Sequence, residues 1–186
     1  MKYNTIIIGA GAAGLMCAGE HTGRTLLIDH IKAPGEKIRI SGGGRCNFTN
    51  LHSSPENFLS NNPHFCKSAL SRYTQWDFIE LIKSYNIEYH EKTLGQLFCD
   101  GSSKQIIEML GTQLDKAKTE LKLSCSVKDV RKIETGFELT LEENNTQTNV
   151  ETKQLVIATG GKSIPKMGAT GFAYDIAKQF SIPLTE

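Results

Sequence analysis

The run Ile6-Ile7-Ile8-Gly9-Ala10-Gly11-Ala12-Ala13-Gly14 constrains this chain more than any other stretch. A β-branched apolar segment feeds directly into G-x-G-x-x-G, and a helical pattern follows. That order is what a dinucleotide-binding βα turn requires. Gly9 permits the tight turn. Gly11 lacks the Cβ that would keep a pyrophosphate away from the backbone. Gly14 lets the new helix pack against the strand it has just left. The helix N-terminus then offers unpaired N–H groups and a partial positive charge to the phosphates. The competing reading is a glycine-rich turn without a ligand. Against it stands Asp29, which closes the next apolar run (residues 24–29) about 20 residues on, where a carboxylate would accept hydrogen bonds from an adenosine ribose.

Residues 5–8 and 24–29 read as buried parallel strands, apolar without alternation. The helix between them is short, with Thr22-Gly23 as its stop. Residues 41–50, Ser-Gly-Gly-Gly-Arg-Cys-Asn-Phe-Thr-Asn, hold three consecutive glycines that suit neither helix nor strand. A flexible linker would not be followed by Arg-Cys-Asn-Phe-Thr-Asn, so the stretch reads as a second ligand-contacting loop, with Arg45 supplying a cation. Residues 51–62 read as irregular and 65–73 as helical. Thr74 and Asp77 resemble a capping box for a helix through Lys83, with Phe78, Ile79 and Ile82 on one face. Tyr73 and Trp76 are expected to pack internally.

A short strand over 87–91 and a turn into an extended piece over 94–98 follow. Ile106, Leu110 and Leu114 mark an amphipathic helix over 103–118. Residues 121–127 are a third parallel-strand candidate. Residues 129–152 alternate apolar and polar, as in an antiparallel meander turning at 143–146. Residues 154–158 return to a buried strand that ends in Thr159-Gly160-Gly161, at the sheet edge where open α/β folds bind ligands. Residues 171–180 form the final helix. No repeat divides the 186 residues, which are expected to form one domain.

Twenty-one Lys and Arg balance 20 Asp and Glu, for a formal charge of +1. This composition gives no reason to expect nucleic acid or a membrane as partner. No apolar run approaches the roughly 20 residues of a membrane span. The N-terminus does not read as a secretory signal. The five cysteines are scattered and never spaced C-x-x-C, and the five histidines show no ligand spacing. Neither a disulfide framework nor a metal site is expected, and the reading is cytoplasmic.

The pairing of I-I-I-G-A-G-A-A-G with I-S-G-G-G-R-C-N-F-T-N resembles the BaiN-like, aminoacetone-oxidase-type FAD-binding flavoproteins. L-G-Q-L-F, L-V-I-A-T-G-G-K-S-I-P-K-M-G and G-F-A-Y-D-I-A-K-Q-F match that family in the same order. The resemblance implies a glutathione-reductase-like Rossmann fold of the α/β class, with a mostly parallel sheet and an antiparallel meander, and FAD as cofactor. It implies that Gly9, Gly11, Ala13 and Gly14 hold the pyrophosphate and Asp29 the ribose. Lys37, Ser41, Gly42, Arg45, Cys46, Asn47 and Thr49 would line the flavin end. Val127 would face the adenine, and Ala158, Thr159, Gly160 and Gly161 would close over the cofactor. Cys46 becomes a flavin neighbour with no second cysteine close in sequence. Three positions depart from the family pattern: the first helix is about one turn shorter, Glu36 stands where a basic residue is frequent, and Cys99 follows Phe98 where proline is common.

Members of that family are about twice as long. The resemblance therefore implies an N-terminal portion lacking a substrate domain and a C-terminal segment that covers the flavin. The leading expectation is an FAD-dependent oxidoreductase acting on a small molecule, or its cofactor-binding half, with no catalytic acid or base identified. A non-catalytic remnant, or a split-gene subunit needing a complementary C-terminal chain, is the alternative. An NAD(P)-dependent dehydrogenase is a weaker one, since it leaves residues 41–50 and 158–161 without a role.

Overall fold

The computed structural model describes residues 2–163, 168 and 170–184. In chain order the elements are β1 (Lys2–Ile8), α1 (Ala12–Glu20), β2 (Thr25–Ile28), α2 (Glu36–Ile40), β3 (Asn47–Asn50), α3 (Lys67–Arg72), α4 (Gln75–Ser84) and β4 (Tyr89–Glu91). They continue with β5 (Gln96–Cys99), α5 (Lys104–Ala117), β6 (Glu120–Lys122), β7 (Ser126–Ile133), β8 (Gly136–Glu143), β9 (Thr146–Ile157) and α6 (Phe172–Gln179). The chain forms two compact units, one from Met1–Lys37 with Leu110–Glu186 and the other from Ile38–Met109.

The first unit is built on a six-stranded sheet of order β6-β2-β1-β9-β8-β7. β6, β2, β1 and β9 run parallel; β8 and β7 complete an antiparallel meander. Ile6 and Ile8 of β1 and Leu26 and Ile28 of β2 join Leu139, Leu141, Val150 and Ile176 of α6 in one buried cluster. Ile7 and Leu27 are equally buried but lie outside that cluster. Since strand side chains alternate, they face the other side of the sheet. Both faces of the central strands are thus covered, which explains why their sequence is apolar without alternation. On α1, Leu15 and Ala18 are buried. The Thr119 hydroxyl donates to the Ala18 carbonyl at 2.9 Å, fastening the end of that helix.

Two sequence expectations change here. The candidate strand over 121–127 is really two pieces, because Ser124 takes a positive φ of 53° and bends the chain. Only β6 is parallel; β7 begins the meander. Conversely, the pieces expected at 148–152 and 154–158 are one continuous strand. β9 pairs antiparallel with β8 along its first half and parallel with β1 along its second, with Thr152 opposite both Phe137 and Tyr3.

The second unit carries a small antiparallel sheet of order β3-β5-β4 and the helices α3 and α4. The loop expected over 41–50 is a single 3₁₀-like turn, Ser41–Gly44, followed by a strand, β3, paired with β5. The glycines do not form a helix: Gly42 and Gly43 sit at φ of 57° and 66°, the left-handed region open to glycine. The capping box forms as read, with Thr74 Oγ1 accepting from the Asp77 amide and the Asp77 carboxylate accepting from the Thr74 amide. Ile79 and Ile82 of α4 are buried. Tyr73 and Trp76 are not packed inside as expected. They are 41% and 56% exposed, because the buried face of α4 begins one turn later.

Candidate functional site

The glycine turn does what its spacing promises. Gly9 has φ of +107°, and its amide donates to the Ile28 carbonyl at 2.8 Å, tying the turn to the end of β2. A Cβ on Gly14 would lie 1.8 Å from the Gly9 carbonyl oxygen, so the helix passes the turn at a distance only glycine allows. Gly11 is different: among the described residues nothing lies within 4 Å of the position its Cβ would take. It caps α1 without a side-chain hydrogen bond, and the first turn of the helix holds no acid. The early amides of α1 therefore open onto free space.

That space is a cavity of about 430 Å³ at the carboxyl ends of β1, β2 and β9. Of the residues singled out from the sequence, Gly9, Gly11, Ala13, Asp29, Lys37, Val127, Ala158, Thr159 and Gly160 line it. Asp29 is buried. Its carboxylate accepts from the Ala10 amide at 2.6 Å and the Ile31 amide at 3.2 Å, and His30 Nδ1 lies 3.2 Å away. These contacts fix the carboxylate between the turn and the chain beyond β2, at the cavity wall. Lys37 extends its ammonium to the Ser163 hydroxyl at 3.0 Å, near Gly160. Glu36 also lines the cavity, so one carboxylate and one ammonium share that stretch of wall.

Thr159 Oγ1 is the informative atom. It is buried, and among the described residues no group hydrogen-bonds to it. An unpaired buried hydroxyl costs roughly 1–3 kcal/mol. Thr159 lines the same cavity as Gly11, Ala12 and Ala13 at the start of α1. A ligand with acceptor or donor oxygens would satisfy it. Free helix amides, open space over Gly11, a fixed carboxylate after β2 and an orphaned hydroxyl after β9 together fit a dinucleotide.

Within the first unit, two of the predicted residues lie outside the cavity wall. Gly14 acts behind the turn through the close approach to Gly9. Gly161 lies beside α6, where its Cβ would stand 3.2 Å from the Tyr174 hydroxyl. The sequence reading missed His30, Cys125, Ser126 and Phe172, which also line the cavity. Their nearest signal was adjacency, since His30 follows Asp29 and Ser126 precedes Val127. Phe172 was read only as a core residue of the last helix. Part of the G-K-S-I-P-K-M-G motif, residues 164–167, lies outside the described residues.

Ser41, Gly42, Arg45, Cys46, Asn47 and Thr49 belong to the second unit and form a set of their own. The Ser41 carbonyl accepts from the Cys46 amide at 3.0 Å, and the Ser41 hydroxyl donates to the Ile38 carbonyl at 2.9 Å. A Cβ on Gly42 would meet the Phe98 ring at 2.6 Å. Asn47 and Thr49 pair with Phe98 and Leu97 of β5. The fold supplies the neighbour that sequence distance hid: the Cys99 amide donates to the Arg45 carbonyl at 3.0 Å, across the strand pair from Cys46. Burial pushes the Cys46 thiol up, partly offset by a hydrogen bond with Ser41. Burial and the neighbouring Cys46 push Cys99 up to about 11. Both stay protonated near neutral pH, which disfavours thiolate chemistry. Among the described residues no group of three or more His, Cys, Asp or Glu could hold a metal ion. No helix there is long and apolar enough to cross a membrane.

The HI0933-like protein Rossmann domain matches residues 3–186. The chain is 55% identical over 184 residues to a ribosomal RNA dihydrouridine synthase of Escherichia coli, covering 97% of this chain and 45% of that protein. It is 50% identical to a ribosomal RNA dihydrouridine synthase of Haemophilus influenzae, covering 96% of this chain and 45% of that protein. The chain thus spans a little under half the length of these relatives. Among solved structures, the open conformation of a flavocytochrome c3 fumarate reductase superposes with a TM-score of 0.64 at 16% identity, over 96% of this chain and 40% of that one. That likeness establishes the shared fold. The chain belongs to the HI0933-like Rossmann-domain family, the BaiN-like flavoproteins read from its motifs, and its cofactor is FAD.

Proposed function

We propose that this chain is the FAD-binding part of an oxidoreductase that reduces uridine in ribosomal RNA to dihydrouridine. The observation that carries the reading is the identity of 55% and 50%, over 184 residues, to two ribosomal RNA dihydrouridine synthases. The reading replaces the small-molecule substrate expected from the sequence. It also runs against the expectation of no nucleic-acid partner, which rested on a net charge of +1. Net charge averages over the surface and does not describe one face of it.

Bound FAD would supply hydride transfer, chemistry that no side chain can provide. The protein's share is binding and orientation. The α1 amides beside Gly11 and Ala13 hold the pyrophosphate, with Gly9 and Gly14 shaping the turn. Asp29 holds the adenosine ribose, Val127 borders the adenine, and Thr159 donates its unpaired hydroxyl to the cofactor. Ala158, Gly160 and Gly161 form the adjoining wall, and Lys37 adds positive charge. To Ser41, Gly42, Arg45, Cys46, Asn47 and Thr49 we assign the flavin-end contacts that the family resemblance implies. The remaining length of the relatives would supply the substrate side of the enzyme.

Two measurements test this. Titration of the purified chain with FAD is expected to shift the flavin absorbance bands; an unchanged spectrum removes the cofactor assignment. Disruption of the gene is expected to remove dihydrouridine from ribosomal RNA, read by mass spectrometry of nucleosides. Unchanged dihydrouridine would remove the substrate while leaving the flavin site intact.

A further inference from the structure

The second unit displays apolar side chains that its own core does not use. Phe58 is 50% exposed, Leu59 95%, Phe65 81% and Trp76 56%. Four large apolar side chains exposed within 19 consecutive residues are more than scattered surface hydrophobics and point to an interaction surface. Charge separates this stretch from an ordinary sticky patch. Residues 58–76 contain Lys67, Arg72 and His64 and no Asp or Glu. The acids that flank it are Asp77 and Glu56, whose carboxyl is held low by its backbone and Ser54, with a smaller share from Lys67. Asp77 is occupied by the Thr74 amide and hydroxyl at 2.7 and 2.6 Å. Between the rings stand small hydrogen-bonding residues: Ser60, Asn61, Asn62, Ser68 and Ser71.

The surface is also held in place. The Cys66 thiol reaches the Pro55 carbonyl at 3.8 Å, joining the segments that carry Phe58 and Phe65. The Gln75 side chain donates to the Leu51 carbonyl at 3.0 Å, tying the start of α4 to the same segment. A capping box at Thr74 fixes the turn that presents Trp76.

We propose that residues 58–76 form a contact surface for single-stranded RNA, with Phe65 and Trp76 stacking on bases and Lys67 and Arg72 meeting phosphates. The proposal rests on the reading of ribosomal RNA as substrate. Flat rings interleaved with cations and small polar groups are what unpaired RNA requires: every base has a face to stack, and every step carries a phosphate.

The test uses the intact chain and a single-stranded oligouridylate. Trp76 is the chain's one tryptophan, so its emission reports on the surface directly. Oligouridylate is expected to quench that emission. Phe65→Ala and Trp76→Ala should each weaken binding, followed by anisotropy of a labelled oligonucleotide, by roughly fivefold to a hundredfold. Lys67→Ala with Arg72→Ala should flatten the dependence of log affinity on log salt by about one to two. Unquenched emission, or equal affinity in the ring variants, overturns the proposal. So does a dimer, seen by sedimentation, that Trp76→Ala dissolves, since the occupant would then be a second copy. If disruption of the gene removes dihydrouridine and yet Trp76 stays unquenched, this surface is wrong and the function stands. If dihydrouridine persists, the function itself has failed.

Discussion

The two compact units treat their large apolar side chains in opposite ways. In the first, Ile6, Ile7, Leu26, Leu27 and Ile28 are fully buried, and Leu139 and Leu141 extend that core into the meander. In the second, Ile79, Ile82 and Leu97 are buried, while Phe58, Leu59, Phe65, Trp76 and Leu94 stand half or more in solvent. A parallel sheet covered on both faces encloses what its strands carry. A three-stranded sheet with two short helices has too little interior for its rings. The first unit therefore spends its apolar surface on holding a turn in place, and the second leaves apolar surface available for recognition.

Substitutions should break or sharpen that contrast. The largest effect is expected from Gly14→Val. Its side chain would collide with the Gly9 carbonyl, which the backbone cannot move without opening the turn, and a loss of roughly 3 kcal/mol or more is expected. Thermal or urea unfolding measures it, and near-wild-type stability would mean that the turn is not the rigid element described. Leu26→Ala should follow at about 2–5 kcal/mol as a cavity in the sheet core, whereas Trp76→Ala should change stability by under about 0.5 kcal/mol. Similar losses for the two would erase the distinction between the units.

Gly11→Val separates binding from folding. Its side chain enters open space, so the unfolding midpoint should hold. FAD affinity should fall roughly tenfold to a hundredfold as the valine takes the room left for the pyrophosphate, read as loss of the flavin spectral shift. Retained affinity would move the phosphates away from this turn.

The smallest effects are local to α4. Thr74→Ala should cost about 1 kcal/mol by removing the helix cap. Hydrogen bonds from the Thr74 hydroxyl and amide hold the Asp77 carboxyl below the usual carboxylate range. A carboxylate with a lowered folded pKa stabilises fully above its unfolded pKa, and loses that contribution as pH falls through the folded value. Helicity followed by circular dichroism should therefore persist through the ordinary titration range of aspartate and decline at lower pH, and Asp77→Asn should abolish that acid step.

Much of the site was legible because its constraints are local. Gly9, Gly11 and Gly14 act within one turn, and the spacing to Asp29 spans one βα unit. The Thr74 box needs only four consecutive residues. Long-range consequences were not legible. Nothing in residues 121–127 shows that Ser124 turns the chain, since a positive φ at serine is decided by what the flanking strands pair with. The continuity of β9 was hidden for a similar reason: its two halves obey different patterns, alternating where one face is wet and uniformly apolar where both are covered. Tyr73 and Trp76 were misjudged because aromatic residues are usually buried, and only the placement of Ile79 and Ile82 shows which side of α4 faces inward.

By itself the sequence determined the dinucleotide turn, the alternation of strand and helix around it, and through its motifs the family and FAD. Each follows from backbone freedom, side-chain period or a contiguous signature. Tertiary structure alone decided that Thr159 finds no partner among the described residues, that Cys99 neighbours Cys46, and that the acid-free aromatic stretch faces solvent. Those are outcomes of which surfaces meet, and they are set by pairing between segments tens to hundreds of residues apart.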